Sequence, residues 1–275
     1  MKMETHDFIV AGCDVGSTSG KAVILKGNRI AASAIIPCEI DPEETARRVL
    51  SLAAAQIGWD NGIEAFDYLV GTGYGRNEIP FADDNFSEIS CHALGSFFCD
   101  PEIKTIIDIG GQDVKGVAID ETGGVAEFVM NDKCAAGTGR FLEMMSRIFK
   151  MELEGFSDLS LKSTVPLPIS SQCSVFAETE VISLLNKRQS PADVAAGIHA
   201  SVAKRALSLL KKVGVRPKVS ITGGCSKNRA LVQAIEKKLR MEIVPLPIDA
   251  QLMGALGAAV TAMRSVSGGA LKKSA

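Results

Sequence analysis

The sequence of 275 residues has no excess of one charge and no long apolar run. Lys and Arg number 30 and Asp and Glu number 32, so the formal net charge is −2. This balance offers no basic surface for DNA or RNA, whose binding depends on phosphate neutralisation. No stretch approaches the ~20 apolar residues that span a bilayer, and the opening MKMETHDFIV is too acidic for a signal peptide. We therefore expect a cytoplasmic globular protein without nucleic-acid or membrane partners.

The cysteines lack the pattern of a disulfide framework or a zinc site. They number seven, an odd count, and no two form a Cys-x-x-Cys pair. The three histidines are far apart in sequence and form no metal-ligand spacing, and His92 and His199 are expected to pack inside helices. Most of the cysteines are interpreted as small buried side chains: Cys13, Cys38, Cys91, Cys99 and Cys225. Only Cys134 and Cys173 need another explanation.

Apolar runs and helical patterns alternate along the chain in two successive series. The predicted strands cover residues 8–14, 21–25, 29–36, 68–71, 104–109, 114–119, 125–130, 218–222 and 242–244. The predicted helices cover residues 42–58, 87–99, 140–149, 174–187, 192–213, 228–239 and 250–263. Each series opens with an apolar strand that ends in Asp-x-Gly. We therefore predict two related α/β domains, one of residues 1–100 plus 254–275 and one of residues 101–253.

A glycine-rich turn follows the first predicted strand. Residues 14–21, DVGSTSGK, differ from a Walker A loop because only three residues separate Gly16 from Gly20 and Ala22 follows the lysine. The turn also lies between two strands, so it predicts a hairpin whose backbone N–H groups can bind an anion. Its candidate anion-binding residues are Gly16, Ser17, Thr18, Ser19, Gly20 and Lys21. Asp14 could hold hydrated Mg²⁺, although a plain Gly-Ser hairpin explains the turn equally well.

Two further glycine motifs favour nucleotide binding. The second series opens with Asp108-Ile109-Gly110-Gly111-Gln112-Asp113, which repeats the strand-terminal acid and the glycines. Two such hairpins facing each other across a cleft can bind phosphates from both sides. The third motif, residues 221–228, contains Gly223, Gly224, Lys227 and Asn228. Its glycines would let an adenosine approach the backbone, because they carry no Cβ.

These three motifs resemble, in order and spacing, those of the superfamily of sugar kinases, heat-shock chaperone ATPases and actin. The resemblance implies two ribonuclease H-like (actin-like ATPase) α/β domains with a nucleotide cleft between them. It also implies that ATP or ADP binds with Mg²⁺. The candidate catalytic residues are then Asp14, Lys21, Asp108 and Gln112. The superfamily alone does not fix function, because kinases, chaperones and filaments share the fold.

Cys134 and Cys173 each lie among small polar residues just before a predicted helix. The positive end of a helix dipole favours a thiolate there, or a thiolate-bound iron–sulfur cluster. Two thiolates are too few for a cubane, but two chains on a twofold axis would supply four. The separation of 39 residues is no recognised metal spacing, and from spacing alone buried thiols or a nucleophile with its resolving partner are better interpretations. Glu178 and Glu180, further along, could orient water or lie on a solvated helix face.

The cysteine segments, NDKCAAGTGRFLE and SSQCSVFAETEVISLL, resemble the signature of the ATP-dependent activators of 2-hydroxyacyl-CoA dehydratases. The ATPase subunits of benzoyl-CoA reductase belong to the same family, and the segments GTGYGR, SEISCHALG, GIHASVAKR and GALGAA also match. The resemblance covers residues 8–264. It implies that Cys134 and Cys173 ligate one [4Fe-4S] cluster shared by a homodimer.

The resemblance implies an ATP-dependent one-electron donor. A reduced ferredoxin or flavodoxin would supply the electron, and an acyl-CoA dehydratase or reductase, or another double-cluster protein, would receive it. A small-molecule kinase of the same fold is the alternative interpretation, and an ATP-dependent redox sensor or scaffold is a third. A content of four irons per dimer would distinguish the electron donor from the kinase and from the sensor or scaffold.

Overall fold

The computed structural model describes residues 8–131, 134–171 and 173–268. These residues form two compact α/β units. The first unit contains the described residues up to Pro101, residues 120–125 and the described residues from Leu246 onward. The second contains residues 102–119 and the described residues from Ala126 to Pro245. Among the described residues, no helix has both the length and the apolar character that a bilayer crossing requires.

The first unit is built on a five-stranded sheet. Its strands are β1 (Ile9–Val15), β2 (Ser19–Lys26), β3 (Arg29–Pro37), β4 (Tyr68–Thr72) and β5 (Asp84–Asn85), in the order β3-β2-β1-β4-β5. β1, β2 and β3 pair antiparallel, whereas β4 pairs parallel with β1 and with β5. Both faces of β1 are buried, which explains its continuous apolar sequence.

Helices cover both faces of this sheet. α1 (Pro42–Ala55) packs on the face of Ala11 and Ile24, whereas α2 (Glu88–Cys99) and α8 (Met253–Ser267) pack on the face of Val10 and Val23. Asp41 caps α1 as predicted, since its side chain accepts a hydrogen bond from the Glu43 N–H. Gly12 allows α8 to approach, because a Cβ there would lie 2.1 Å from the Ala255 carbonyl oxygen.

The second unit is built on a four-stranded sheet with five helices. Its strands are β6 (Thr105–Ile109), β7 (Val114–Ile119), β8 (Val125–Asn131) and β9 (Val219–Thr222), in the order β8-β7-β6-β9. Its helices are α3 (Gly139–Ile148), α4 (Leu153–Leu161), α5 (Ser174–Asn186), α6 (Pro191–Val213) and α7 (Arg229–Leu239). The long helix α6 is the centre of this core, because its Val194, Ile198 and Val202 are fully buried among the other elements.

Most of the predicted elements are present, and the differences have physical reasons. Helix α4 was not predicted, since the glycine and serines of its sequence LEGFSDLSL weaken the helical pattern. The predicted strand over 242–244 is wrong, because only a single bridge from Ile243 to Val219 forms there. Helix α5 has the predicted position, but of its residues only Ala177 and Val181 are buried.

Candidate functional site

The first glycine motif is a tight hairpin between β1 and β2, as predicted. The Gly16 N–H donates to the Ser19 carbonyl oxygen at 3.1 Å, and the strands pair Asp14 opposite Lys21. The Lys21 ammonium lies 3.2 Å from a carboxylate oxygen of Asp14 and also donates to the Ser19 carbonyl oxygen at 3.0 Å. The side chain of Asp14 is only 4% exposed and that of Lys21 only 12%. The predicted acid and base of this hairpin therefore form a nearly buried ion pair.

Glycines leave little room around the Asp14 carboxylate. A Cβ on Gly73 would lie 2.4 Å from one carboxylate oxygen, and a Cβ on Gly254 would lie 2.6 Å from the other. His92 lies on the same side, with its Nε2 4.0 Å from Asp14. His92 is buried, as the predicted packing role requires. The sequence did not reveal that it lies beside the Asp14 carboxylate.

Cys38, the residue after β3, makes two hydrogen bonds to the first hairpin. Its thiol donates to the Gly16 carbonyl oxygen at 3.1 Å, and its backbone N–H donates to the Thr18 carbonyl oxygen at 3.1 Å. Sequence reasoning placed Cys38 among the packing residues and missed this contact. No signal in the sequence marks it, because the contact depends on the antiparallel pairing of β2 with β3.

The second glycine motif has the same construction in the second unit. β6 and β7 pair Asp108 opposite Lys115, and the Lys115 ammonium lies 3.1 Å from Asp108 and 2.7 Å from Asp113. Lys115 was not predicted as a site residue. Its signal is the interval of seven residues from Asp108 to Lys115, which equals the interval from Asp14 to Lys21. Gln112, by contrast, is exposed at the tip of this hairpin.

The third motif lies against the second hairpin. The Thr222 hydroxyl donates to a carboxylate oxygen of Asp108 at 2.9 Å. Gly223 has a positive φ of 80°, and a Cβ there would lie 2.4 Å from the Ile109 carbonyl oxygen, so this position requires glycine. The next four residues, Gly224–Lys227, form a 3-10 turn. The second and third motifs therefore form one continuous surface of the second unit.

Asn228 has a role within the protein that the sequence did not reveal. Its side-chain oxygen accepts from the Leu231 N–H at 2.9 Å and caps α7, while its amide nitrogen lies 3.1 Å from His199 Nε2. His199 Nδ1 lies 2.8 Å from the Ala195 carbonyl oxygen. Burial lowers the pKa of His199 to about 4, so the ring is neutral at pH 7. The Nδ1–H tautomer satisfies both contacts, because Nδ1 donates and Nε2 accepts.

Exposure separates two cysteines from the other five. Cys134 and Cys173 are exposed, whereas Cys13, Cys91 and Cys225 are buried and Cys38 and Cys99 are half-buried. Burial raises the pKa of Cys91 and of Cys225 to about 12, which keeps these thiols protonated. The two cysteines that the sequence singled out are thus the two that are accessible to a ligand.

The Cys134 segment is attached directly to the second hairpin. The first two N–H groups of α3, of Gly139 and Arg140, donate to the carbonyl oxygens of Gly110 and Gly111 at 2.9 Å each. Within the segment, the Asn131 side chain donates to the Cys134 carbonyl oxygen at 3.2 Å. A displacement of the glycine hairpin would therefore act on α3 and on the segment that precedes it.

The Cys173 segment is fixed by a carboxylate of α5. Cys173 is the N-cap residue of this helix, and its side chain makes no capping hydrogen bond. Glu180 accepts hydrogen bonds at 2.8–2.9 Å from Ser170 N–H, Ser170 hydroxyl and Ser171 N–H. Partial burial acts to raise the pKa of Glu180, but these hydrogen bonds outweigh it and lower the pKa to about 2. The sequence predicted that Glu180 orients water or lies on a solvated helix face, and neither prediction includes these hydrogen bonds.

The donor chemistry of the two segments fits part of an iron–sulfur cluster. Two accessible thiols are present, and the first N–H groups of α5 lie beside Cys173 without partners from within that helix. The described residues contain no group of three or more metal-ligating side chains. One chain therefore offers two of the four thiolates that a cubane takes.

Comparisons with known proteins find similarity over nearly the whole chain. The model of the BadF/BadG/BcrA/BcrD ATPase family matches residues 11–262. The activator of lactoyl-CoA dehydratase from Anaerotignum propionicum is 45% identical over 252 residues, which are 91% of this chain and 96% of that protein. At this identity and coverage the likeness extends over both units.

Solved structures confirm the predicted fold. Component A of (R)-2-hydroxyglutaryl-CoA dehydratase from Acidaminococcus fermentans superimposes with a TM-score of 0.89 at 42% identity, covering 94% of this chain and 99% of that one. The activator of 2-hydroxyisocaproyl-CoA dehydratase from Clostridium difficile, with bound ADPNP, gives 0.88 at 43% identity, with coverage of 98% and 100%. A hexokinase from Thermus thermophilus gives 0.53 at 16% identity, which supports the fold alone. The two α/β units thus have the actin-like ATPase fold, and the chain belongs to the BadF/BadG/BcrA/BcrD ATPase family.

Proposed function

We propose that this ATPase is an activator that donates one electron to an acyl-CoA dehydratase. The observation that carries the proposal is the exposure of Cys134 and Cys173 alone among seven cysteines, together with the attachment of the Cys134 segment to a glycine hairpin. Related proteins are named as dehydratase activators, which supports the same class of partner. The resemblance to ATPase subunits of benzoyl-CoA reductase makes a reductase the second candidate partner.

The nucleotide-binding role belongs to the glycine motifs. We assign the phosphates to the hairpins of Gly16–Gly20 and Gly110–Gln112, whose backbone N–H groups and lysines favour anions. Asp14 would hold the hydrated Mg²⁺ that accompanies ATP. The Gly223–Asn228 turn would contact adenosine through its backbone, because the Asn228 side chain already caps α7.

The cysteines would hold a [4Fe-4S] cluster between two copies of the chain. Such a cluster, when bound, supplies the capacity to accept one electron and to release it. Four thiolates are provided if Cys134 and Cys173 of each chain contribute, and the reduced donor would be a ferredoxin or a flavodoxin. ATP hydrolysis at the hairpins would make the transfer to the partner effectively one-way.

A homodimer also accounts for the exposed apolar face of α5. Val175 is 64% exposed, Phe176 69% and Ile182 41%, although each is a large apolar residue. This face begins two residues after Cys173, where a second chain would have to approach to share a cluster. Burial of such a patch in an interface removes its cost in water.

The test is to purify the protein without oxygen and to measure iron, colour and mass. We expect a brown homodimer with about four irons per dimer. Cys134→Ser or Cys173→Ser should each remove two of the four ligands and with them nearly all the iron, while ATP still binds. Cys99→Ser is the matched control and should stay brown. A colourless wild-type protein, or a Cys134→Ser protein with full iron, would contradict the proposal.

A further inference from the structure

One arginine of α6 connects both cysteine segments of the second unit. The Arg205 guanidinium donates through Nη2 to the Ser171 carbonyl oxygen at 3.1 Å, across 34 positions of sequence. Ser171 lies two residues before Cys173 and is itself held by Glu180 through its N–H. The guanidinium therefore extends the hydrogen-bonded network that fixes the Cys173 segment.

The same side chain reaches the Cys134 segment. The charges of Arg205 and of a Cys134 thiolate are close enough to interact. The stem of Arg205 packs against Gly137, where an added Cβ would lie 3.3 Å from its Cδ and 3.5 Å from its Cβ. Gly137 has a φ of 109°, a backbone conformation that favours glycine, and an added Cβ would press against the Arg205 stem.

An aromatic ring completes the surroundings of the guanidinium. The Arg205 Cζ lies 5.7 Å from the centre of the buried Phe141 ring on α3, a distance at which a cation is attracted to the ring face. Burial lowers the pKa of Arg205, but an arginine keeps its charge at any physiological pH. A permanent positive charge thus lies among the elements that carry both cysteines.

We propose that Arg205 is a positioning residue that joins the two cysteine segments and raises the reduction potential of the cluster they hold. The inference rests on the proposed function. Reduction adds one negative charge to the cluster, and a fixed positive charge nearby stabilises the reduced state more than the oxidised state. The guanidinium fork fixes geometry in a way that an ammonium cannot reproduce.

The experiment compares Arg205→Gln and Arg205→Lys with wild type in the anaerobic dimer. Both keep a hydrogen-bond donor, but only lysine keeps the charge. We expect R205Q to lower the ratio of reduced to oxidised cluster at least tenfold at a fixed potential, equivalent to 59 mV for one electron. In R205K the ratio of reduced to oxidised cluster at the same potential should stay within threefold of the wild-type ratio. An iron chelator should remove iron several-fold faster from both variants, because neither reproduces the fork.

Lys204→Gln is the matched control, since Lys204 is the exposed neighbour on the same helix and its loss changes the net charge equally. Its potential and chelation rate should equal those of wild type. If R205Q does not fold or does not keep iron, R205K still tests whether Arg205 joins the two cysteine segments. A wild-type chelation rate in R205K would overturn that role. An unchanged potential in iron-loaded R205Q overturns the electrostatic role. A wild-type protein without iron contradicts the proposed function itself, which is a separate outcome.

Discussion

Lys21 forms an ion pair with the acid of its own hairpin and, by our proposal, also contacts phosphate. In the structure it neutralises Asp14 at 3.2 Å and lies over Gly16. A lysine in this place can contact a phosphate with little movement, and a hydrogen bond to a charged group contributes about 1.5–3 kcal/mol. We therefore expect Lys21→Ala to weaken ATP binding roughly tenfold to a hundredfold by calorimetry, with the iron content unchanged.

The control for this variant is Lys26→Ala, at the exposed end of the same strand. It removes the same charge without touching the hairpin and should bind ATP as wild type does. Wild-type affinity in Lys21→Ala would mean that the hairpin is only a turn, the alternative that its sequence left open.

His199 makes the stability of the second unit depend on pH. Its folded pKa of about 4 lies below the ~6.5 of an exposed histidine, so the unfolded chain binds more protons between these values. The stabilisation is complete above pH 6.5 and is lost as pH falls towards 4, by on the order of 2–3 kcal/mol. Urea unfolding of wild type and His199→Gln at pH 7 and pH 5 measures it. The variant should lose less stability than wild type over this interval, and equal losses would contradict the assignment.

Among the residues, candidates could be predicted where their signal lies in neighbouring positions of the sequence. The Asp-x-Gly turns and the two unusual cysteines were visible because each lies in a short polar segment. Lys115 carried a readable signal in its seven-residue interval, yet it was missed. Cys38 and Arg205 carried none, because their contacts to Gly16 and Ser171 exist only after distant segments pair.

Among the elements, α5 departs most from the sequence pattern. Its apolar residues recur at helical spacing, which predicts a face buried in the core of one chain. Ala177 and Val181 are buried in this way, but Val175, Phe176 and Ile182 are exposed. Sequence periodicity shows that a face is apolar, but it does not show whether the same chain or a second chain covers it.

The exposed face of α5 gives a direct test of the homodimer. Phe176→Glu places a charge on the face that we propose a second copy covers, and an uncompensated buried charge strongly opposes association. We expect this variant to be monomeric in light scattering under anaerobic conditions and to contain little iron. Leu52→Glu, on an exposed part of α1 in the first unit, is the control and should stay dimeric. A dimeric Phe176→Glu protein would exclude α5 from the interface.

For the whole molecule, we expect the bound nucleotide to affect the cysteine segments. The Gly139 and Arg140 N–H groups bond to Gly110 and Gly111, so the hairpin that we assign to phosphate also anchors the start of α3. A ligand shifts an equilibrium only by its difference in affinity for the two states. We expect a chelator to remove iron at different rates with ADP and with a non-hydrolysable ATP analogue. Identical rates with either nucleotide and with none would contradict this coupling.

The pairing of each hairpin acid with its own lysine has a consequence for turnover. Asp14 forms an ion pair with Lys21, and Asp108 shares Lys115 with Asp113. By our proposal, a triphosphate and its magnesium would contact these same groups, so that binding replaces existing ion pairs with new ones. Departure of the product would let each acid pair with its lysine again. An acid that regains its lysine does not oppose release of the product, which suits the repeated turnover of an ATPase.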